Sequence, residues 1–264
     1  MSELLEALVL GIVQGLTEFL PVSSSGHLEI AKVLLNDDSL ASQSLFTTVL
    51  LHFATALSTM VVFRKKIGEL IGGVFRKDGV EEKKMVLIII ISMIPAVFLG
   101  LFFEDLIEST FDRNLTLVGA MLLITAVFLY IADKSHAENK KLTFLSAFGV
   151  GLAQAFAILP GVSRSGATIS SSLLFGLKRE DAATFSFLMV LPLIFGKIAK
   201  DLLDGSFFEN MPSMTYSLVG FAAAFAAGIM ACTWMIQLVK KAGLKYFALY
   251  CLIVGSTILI TQNL

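Results

Sequence analysis

The chain has 264 residues, 56% of them hydrophobic and only 16% charged, with a mean hydropathy of +0.84. Soluble domains sit near ~45–50% apolar and ~25% charged, so this composition excludes a water-soluble globule and equally a disordered chain. Lys and Arg number 20 against 21 Asp and Glu, which leaves no basic surplus for a nucleic acid. The expectation is an all-α polytopic membrane protein, with residues 1–264 forming a single integral membrane domain.

Glu3 and Glu6 open the chain, and Lys32 is its first basic residue. A cleavable signal begins with positive charge, so the first apolar stretch is read as part of the mature fold. Residues 4–35 are apolar but interrupted by Leu20-Pro21-Val22-Ser23-Ser24-Ser25-Gly26-His27. Three stretches of spanning length follow, 43–63, 85–103 and 115–132. Residues 143–177 are again interrupted, by Leu159-Pro160-Gly161-Val162-Ser163-Arg164-Ser165-Gly166, and 181–200, 215–238 and 246–262 complete the set. A bilayer crossing needs ~20 helical residues. Each interrupted region offers two half-spans around a Pro, Gly and Ser break, which predicts a re-entrant hairpin of two half-helices. Cys232 and Cys251 both lie in apolar runs, without disulfide or metal spacing.

Basic residues set the expected orientation. Seven lie in 64–84, read as a loop, and those following the third span, preceding the fourth and between the last two bring the total to fifteen on one side. That side is read as cytoplasmic. Both termini are then outside, the first hairpin enters from outside and the second from the cytoplasm.

The two hairpins resemble each other. Gly11-Ile12-Val13-Gln14 matches Gly151-Leu152-Ala153-Gln154, and Ser25-Gly26 matches Ser165-Gly166, both at an offset of 140. Each hairpin is followed by three spans, so the repeats, about 4–132 and 143–262, are expected to be inverted in the membrane. Inverted repeats with broken helices place a binding site near the midplane.

At each tip the chain restarts as a helix, and a helix start attracts anions, phosphate above all. Ser23, Ser24, Ser25, Ser163 and Ser165, with Thr168 one turn on, supply hydroxyls for an anion cup. Arg164 is costly inside a membrane, and its planar fork binds phosphate bidentately; the bland alternative is a structural pair with Glu18. Gln14 and Glu18 share a helix face. Glu18 with Gln14 suits a divalent cation held beside substrate phosphates, or Glu18 acts as a base or orients one. His27, one turn beyond Ser24, is placed to carry a proton for a hydroxyl nucleophile. His52 is read as a packing residue, and Glu29 as solvated.

The segments from Gln14 to His27 and from Pro160 to Thr168 resemble the two signature segments of the bacitracin-resistance type undecaprenyl-diphosphate phosphatases, and the likeness extends over the whole chain, including Pro95. The resemblance implies hydrolysis of undecaprenyl diphosphate to the monophosphate, which recycles the lipid carrier of cell-wall assembly and confers bacitracin resistance. It further implies a bacterial inner-membrane enzyme with a site open to the outer side, a polyprenyl diphosphate substrate, and a divalent cation, Mg²⁺ with Ca²⁺ as the alternative. A homodimer is compatible with it. The family's acidic positions fall on Gln14 and Glu18, its serine and histidine positions on Ser23, Ser24, Ser25 and His27, and its second segment on Ser163, Arg164, Ser165 and Thr168. Gln14 in place of an acid leaves most of any metal binding to Glu18.

Together these expectations make Ser24, His27, Glu18 and Arg164 catalytic. Ser23, Ser25, Gly26, Ser163, Ser165, Gly166 and Thr168 are assigned to phosphate, and Glu18 with Gln14 to the metal. The nucleophile is left open among Ser24, His27 and water. The rival from another class is a secondary transporter or flippase for an anionic lipid or small anion, which shares inverted repeats and broken helices but needs no nucleophile.

Overall fold

A computed structural model of the protein describes residues 2–35, 41–103, 106–107, 109–111, 114–135, 139–203, 211–241 and 243–262. Among these the regular elements are α-helices and one short 3-10 turn, Ser109–Phe111. In chain order the helices are α1 (Glu3–Thr17), α2 (Ser24–Leu35), α3 (Ala41–Val62), α4 (Arg64–Phe75), α5 (Val80–Phe102) and α6 (Leu115–Asp133). They continue with α7 (Phe144–Phe156), α8 (Arg164–Leu174), α9 (Arg179–Met189), α10 (Leu191–Leu203), α11 (Met214–Lys241) and α12 (Lys245–Gln262).

Six helical stretches are long and apolar enough to cross a membrane: α3, α5, α6, the pair α9–α10, α11 and α12. They coincide with the six apolar runs expected from the sequence. The outer faces carry exposed side chains such as Leu8, Ile90, Phe98, Leu145, Leu249 and Ile260, a surface that suits lipid rather than water. The two interrupted regions form helix–break–helix pairs, α1–α2 and α7–α8, with each arm at most 15 residues and too short to span alone.

Three features depart from the sequence reading. The fourth span is broken at Val190. Pro192 lacks an N–H to give the preceding turn and its ring crowds the carbonyl four residues back, so α9 ends and α10 starts there. The segment after the first span, read as a loop, begins with helix α4. Leu70 is buried, while Ile71 and Phe75 are exposed beside Arg64, Lys65 and Lys66; apolar and basic faces in this arrangement fit a helix lying in the membrane interface. Glu29 is not solvated. Glu29 and Lys32 are each 1% exposed and form an ion pair at 3.0 Å, and Lys32 also donates to Thr48 Oγ1 at 2.9 Å. A buried cation needs such partners.

Helix pairing links the halves of the chain. The most extensive contact is α1 on α11, followed by α6 on α12 and, among the rest, α7 on α5. Exchanging the halves turns the first of these pairs into the third and leaves the second unchanged. Small residues make the contacts close: a Cβ added to Gly15 would lie 2.7 Å from the Ala224 carbonyl of α11, and one at Gly151 would collide with the Ser92 carbonyl of α5. Such close approach is how helices pack where no hydrophobic force acts between them. Across α3 and α11, the Ser58 hydroxyl donates to the Phe225 carbonyl at 2.8 Å.

Candidate functional site

Irregular backbone at membrane depth survives only where its polar groups find partners, and both tips meet that condition. The Ser165 hydroxyl donates to the Leu20 carbonyl at 3.1 Å, which ties one hairpin tip to the other. Thr125 of α6 secures the second tip, donating to the Gly161 carbonyl and accepting from the Ser163 N–H, both at 3.0 Å. Gly161 has φ +98, and a Cβ there would meet the Val118 and Met121 of α6. The first tip turns at Ser23, a non-glycine residue with φ +72, a conformation that costs roughly 1–3 kcal/mol and is held by its surroundings. The Ser23 hydroxyl accepts the Gly26 N–H at 3.2 Å, and the Ser163 hydroxyl accepts the Gly166 N–H at 3.0 Å. Both serines thereby cap the helices that follow.

The tips converge on Glu18, which lies just past the end of α1 and is 6% exposed. Its Oε2 accepts from Gln14 Nε2 at 3.0 Å and from the Ser24 hydroxyl at 2.7 Å. Its Oε1 is paired with Arg164 Nη2. The other guanidinium arm donates to the Ser186 carbonyl of α9 at 3.1 Å, and the Thr168 and Ser186 hydroxyls lie 2.6 Å apart. The Arg164–Glu18 pair and the phosphate clamp are therefore not exclusive: the carboxylate fixes the guanidinium at the rim of a cavity. Serine, carboxylate and guanidinium form one connected set.

That cavity, about 280 Å³, is lined on its polar side by Glu18, Ser24, Ser25, Thr48, His52 and Arg164. A second cavity of about 530 Å³ adjoins it, sharing Arg164, Ile158, Leu193 and Lys197, and is walled mostly by apolar residues of α5 and α10. A charged headgroup and an apolar chain thus have adjacent compartments.

The structure separates the sequence-predicted residues into two groups. Gln14, Glu18, Ser24 and Arg164 meet directly, and Ser25 lines the cavity beside them. The hydroxyls of Ser23, Ser163, Ser165 and Thr168 are engaged in caps and tip contacts, and Gly26 and Gly166 pack beneath the tips, Gly26 against Gly161 and Gly166 against Pro21. His27 turns away from the cavity. Its Nδ1 contacts the Ser23 carbonyl at 2.7 Å, its Nε2 the Tyr250 hydroxyl at 2.7 Å, and its ring stacks on Tyr250 of α12.

His52, read from sequence as packing, stands in the cavity instead. Its Nε2 is 3.4 Å from Glu18 Oε2, and its Nδ1 is 2.8 Å from the Thr48 carbonyl. A carbonyl only accepts, so Nδ1 carries the hydrogen. Nε2 therefore meets the carboxylate as an ion pair when protonated and stands as an open proton acceptor when not. The available signal was its position alone: an ionisable residue inside a spanning helix is a functional candidate by default.

Glu18 already holds donors on both oxygens, while Gln14 Oε1 is buried with no partner. Among the described residues no group of three or more His, Cys, Asp and Glu clusters as a metal cage. One carboxylate and one amide oxygen fit an ion that takes its remaining ligands from phosphate and water, as Mg²⁺ commonly does.

Residues 7–257 match the profile of the family described as bacitracin resistance protein BacA. The chain belongs to that family. It is 56% identical over 253 residues to an undecaprenyl-diphosphatase of Christiangramia forsetii, covering 96% of each chain. It is 45% identical over 263 residues, 98% of each chain, to the Bacteroides thetaiotaomicron undecaprenyl-diphosphatase. An archaeal relative from Methanococcus vannielii with the same designation is 42% identical over 252 residues, 94% of this chain and 96% of the other. Both hairpin tips fall within the matched segment, as do Gln14, Glu18, Ser24, His52 and Arg164.

Proposed function

We propose that this chain hydrolyses undecaprenyl diphosphate to undecaprenyl phosphate and inorganic phosphate, recycling the lipid carrier of cell-wall assembly and conferring bacitracin resistance. The observation that carries the reading is the bond from the Ser24 hydroxyl to Glu18, itself paired with Arg164, at the edge of a polar cavity that adjoins an apolar one. A carrier has no use for an oriented hydroxyl beside a proton acceptor. The names of near full-length relatives support the same substrate.

The terminal phosphate sits against Arg164 and the first-turn N–H groups of α2 and α8, which stabilise charge developing on the phosphoryl oxygens. The Ser24 Oγ attacks the terminal phosphorus. The new O–P bond forms as the bridging P–O bond breaks, and the bridging oxygen leaves with its electron pair as undecaprenyl phosphate. The Ser24 proton passes to Glu18 Oε2, which both Ser24 and His52 Nε2 face, and His52 is the group that carries it onward. Water then attacks the phosphoserine, and inorganic phosphate departs. In this scheme His27 is a positioning residue that holds the Ser23 turn, and direct attack by water is the alternative that uses the same groups.

Glu18 and Gln14 Oε1 are the residues that would hold a divalent cation, Mg²⁺ before Ca²⁺, arriving with the substrate. Such an ion supplies charge neutralisation on the diphosphate. The cavity takes Leu45, Thr48 and His52 from the first half of α3, whose other end leads into the basic segment 64–84, and this supports a site on the outer side of the bacterial cytoplasmic membrane.

Phosphate release from undecaprenyl diphosphate by the detergent-purified protein with Mg²⁺ tests this. Expected is one phosphate per lipid from wild type and essentially none from Ser24→Ala or Arg164→Ala. Well-folded wild type that releases none overturns the phosphatase reading in favour of a carrier. An Arg164→Ala protein that keeps more than half its turnover overturns the clamp.

A further inference from the structure

Gln154 is the second-half counterpart of Gln14, 140 residues on, yet the two differ in surroundings. Gln14 donates to Glu18, the residue four positions later on the same helix face. Four positions after Gln154 the chain has Ile158, so no carboxylate waits for its amide. Gln154 is 2% exposed, and both Oε1 and Nε2 lack any hydrogen-bond partner. It lines the 530 Å³ cavity, where Met93, Ala96, Val97 and Leu193 supply an apolar wall. A buried amide with neither atom paired is strongly unfavourable unless something arrives to pair it.

The polar atoms of a prenyl diphosphate all lie in its headgroup, since an isoprenoid chain has none to hydrogen-bond. The terminal phosphate belongs to the polar cavity with Ser24 and Arg164. Arg164 and Lys197 line both cavities, so the next polar group along the lipid lies at their junction, on the cationic edge of the compartment that Gln154 faces. We infer that Gln154 is a recognition residue for the proximal, ester-linked phosphate of the substrate, the phosphate that remains on the product. Its Nε2–H donates to a phosphate oxygen there, beside Lys197 on the same cavity wall, whose ammonium is paired with Asp201 of α10 at 3.0 Å. The inference rests on the phosphatase reading and deepens it. It makes the site read both phosphates separately, through Arg164 and Ser24 for the one released and through Gln154 for the one retained.

The test is Gln154→Leu, an apolar replacement of similar size, purified beside wild type. Five quantities are measured: kcat and KM for undecaprenyl diphosphate, the inhibition constant of undecaprenyl monophosphate, that of inorganic phosphate, and thermal stability. Loss of a hydrogen bond to a charged group is worth about tenfold or more in affinity. Expected are a KM and a monophosphate inhibition constant that rise together by about that factor. The inorganic phosphate constant should stay unchanged, and the thermal midpoint should be equal or higher, because an orphaned amide has been removed. A folded variant with unaltered KM and monophosphate inhibition overturns the inference. So does a variant that weakens inorganic phosphate equally and melts earlier, because that is the signature of a structural residue. If Gln154→Leu does not fold, Gln154→Met is measured in its place, and failure of both to fold likewise overturns it. Wild type without phosphate release overturns the phosphatase reading itself, whereas wild-type turnover with an indifferent variant overturns this inference alone.

Discussion

Glu18 meets partners from four directions: Gln14 one turn back, Ser24 across the tip, His52 from α3 and Arg164 from the other hairpin. Removing one partner of a buried pair leaves the other uncompensated, at about 3–5 kcal/mol. Glu18→Ala should therefore lower the thermal midpoint markedly, while Glu18→Gln, which keeps volume and an accepting oxygen, should stay folded yet lose about 10²-fold or more in kcat. Equal melting of the two variants would remove Arg164 from the account of stability. The two histidines separate by where they stand. His52→Ala should lower kcat by roughly 10²–10⁴ with the fold intact. His27→Ala should disturb the Ser23 turn and lower the thermal midpoint. A larger loss of kcat from His27→Ala than from His52→Ala, at an unchanged midpoint, would hand the proton role back to His27.

At the scale of helices, the close seams between the halves are the sensitive places. Gly15 lies against Ala224 and Ala227 of α11 with no room for a side chain. Gly15→Val should cost about 1–3 kcal/mol by overpacking, seen as a lower midpoint in detergent and reduced yield from membranes. Exposed Gly68 on α4, with nothing near its missing Cβ, should tolerate alanine with no loss. Helix α4 itself was not legible in the sequence. Twelve residues with Gly68, Gly72 and Gly73 make a marginal helix in water, and its stability comes from packing on α5 and from the interface. The hairpin breaks, by contrast, were legible, because Pro21, Pro160 and Gly161 act on the local backbone whatever surrounds them.

For the whole molecule, sidedness has a direct measurement. Cys232 and Cys251 are both buried, so a cysteine introduced at an exposed position reports accessibility with little background. A membrane-impermeant maleimide should label Ser213→Cys in intact cells and Lys77→Cys only after permeabilisation. The opposite pattern would place the cavity on the cytoplasmic side and contradict the charge-based orientation.

Spanning helices, their number and the two hairpin breaks follow from the sequence alone, because transfer of a segment into a bilayer depends on that segment's own composition. Gln14 and Glu18 on one face, and the functional weight of Arg164, were legible for the same reason: helical spacing and the cost of a membrane arginine are local. The pairing of Glu18 with Arg164, 146 residues apart, the turning of His27 toward Tyr250, the arrival of His52 in the cavity and the burial of Glu29 with Lys32 were decided only by tertiary structure. Which face of a helix meets protein, lipid or cavity depends on its neighbours, and nothing within an apolar span distinguishes a histidine that packs from one that faces the reacting group.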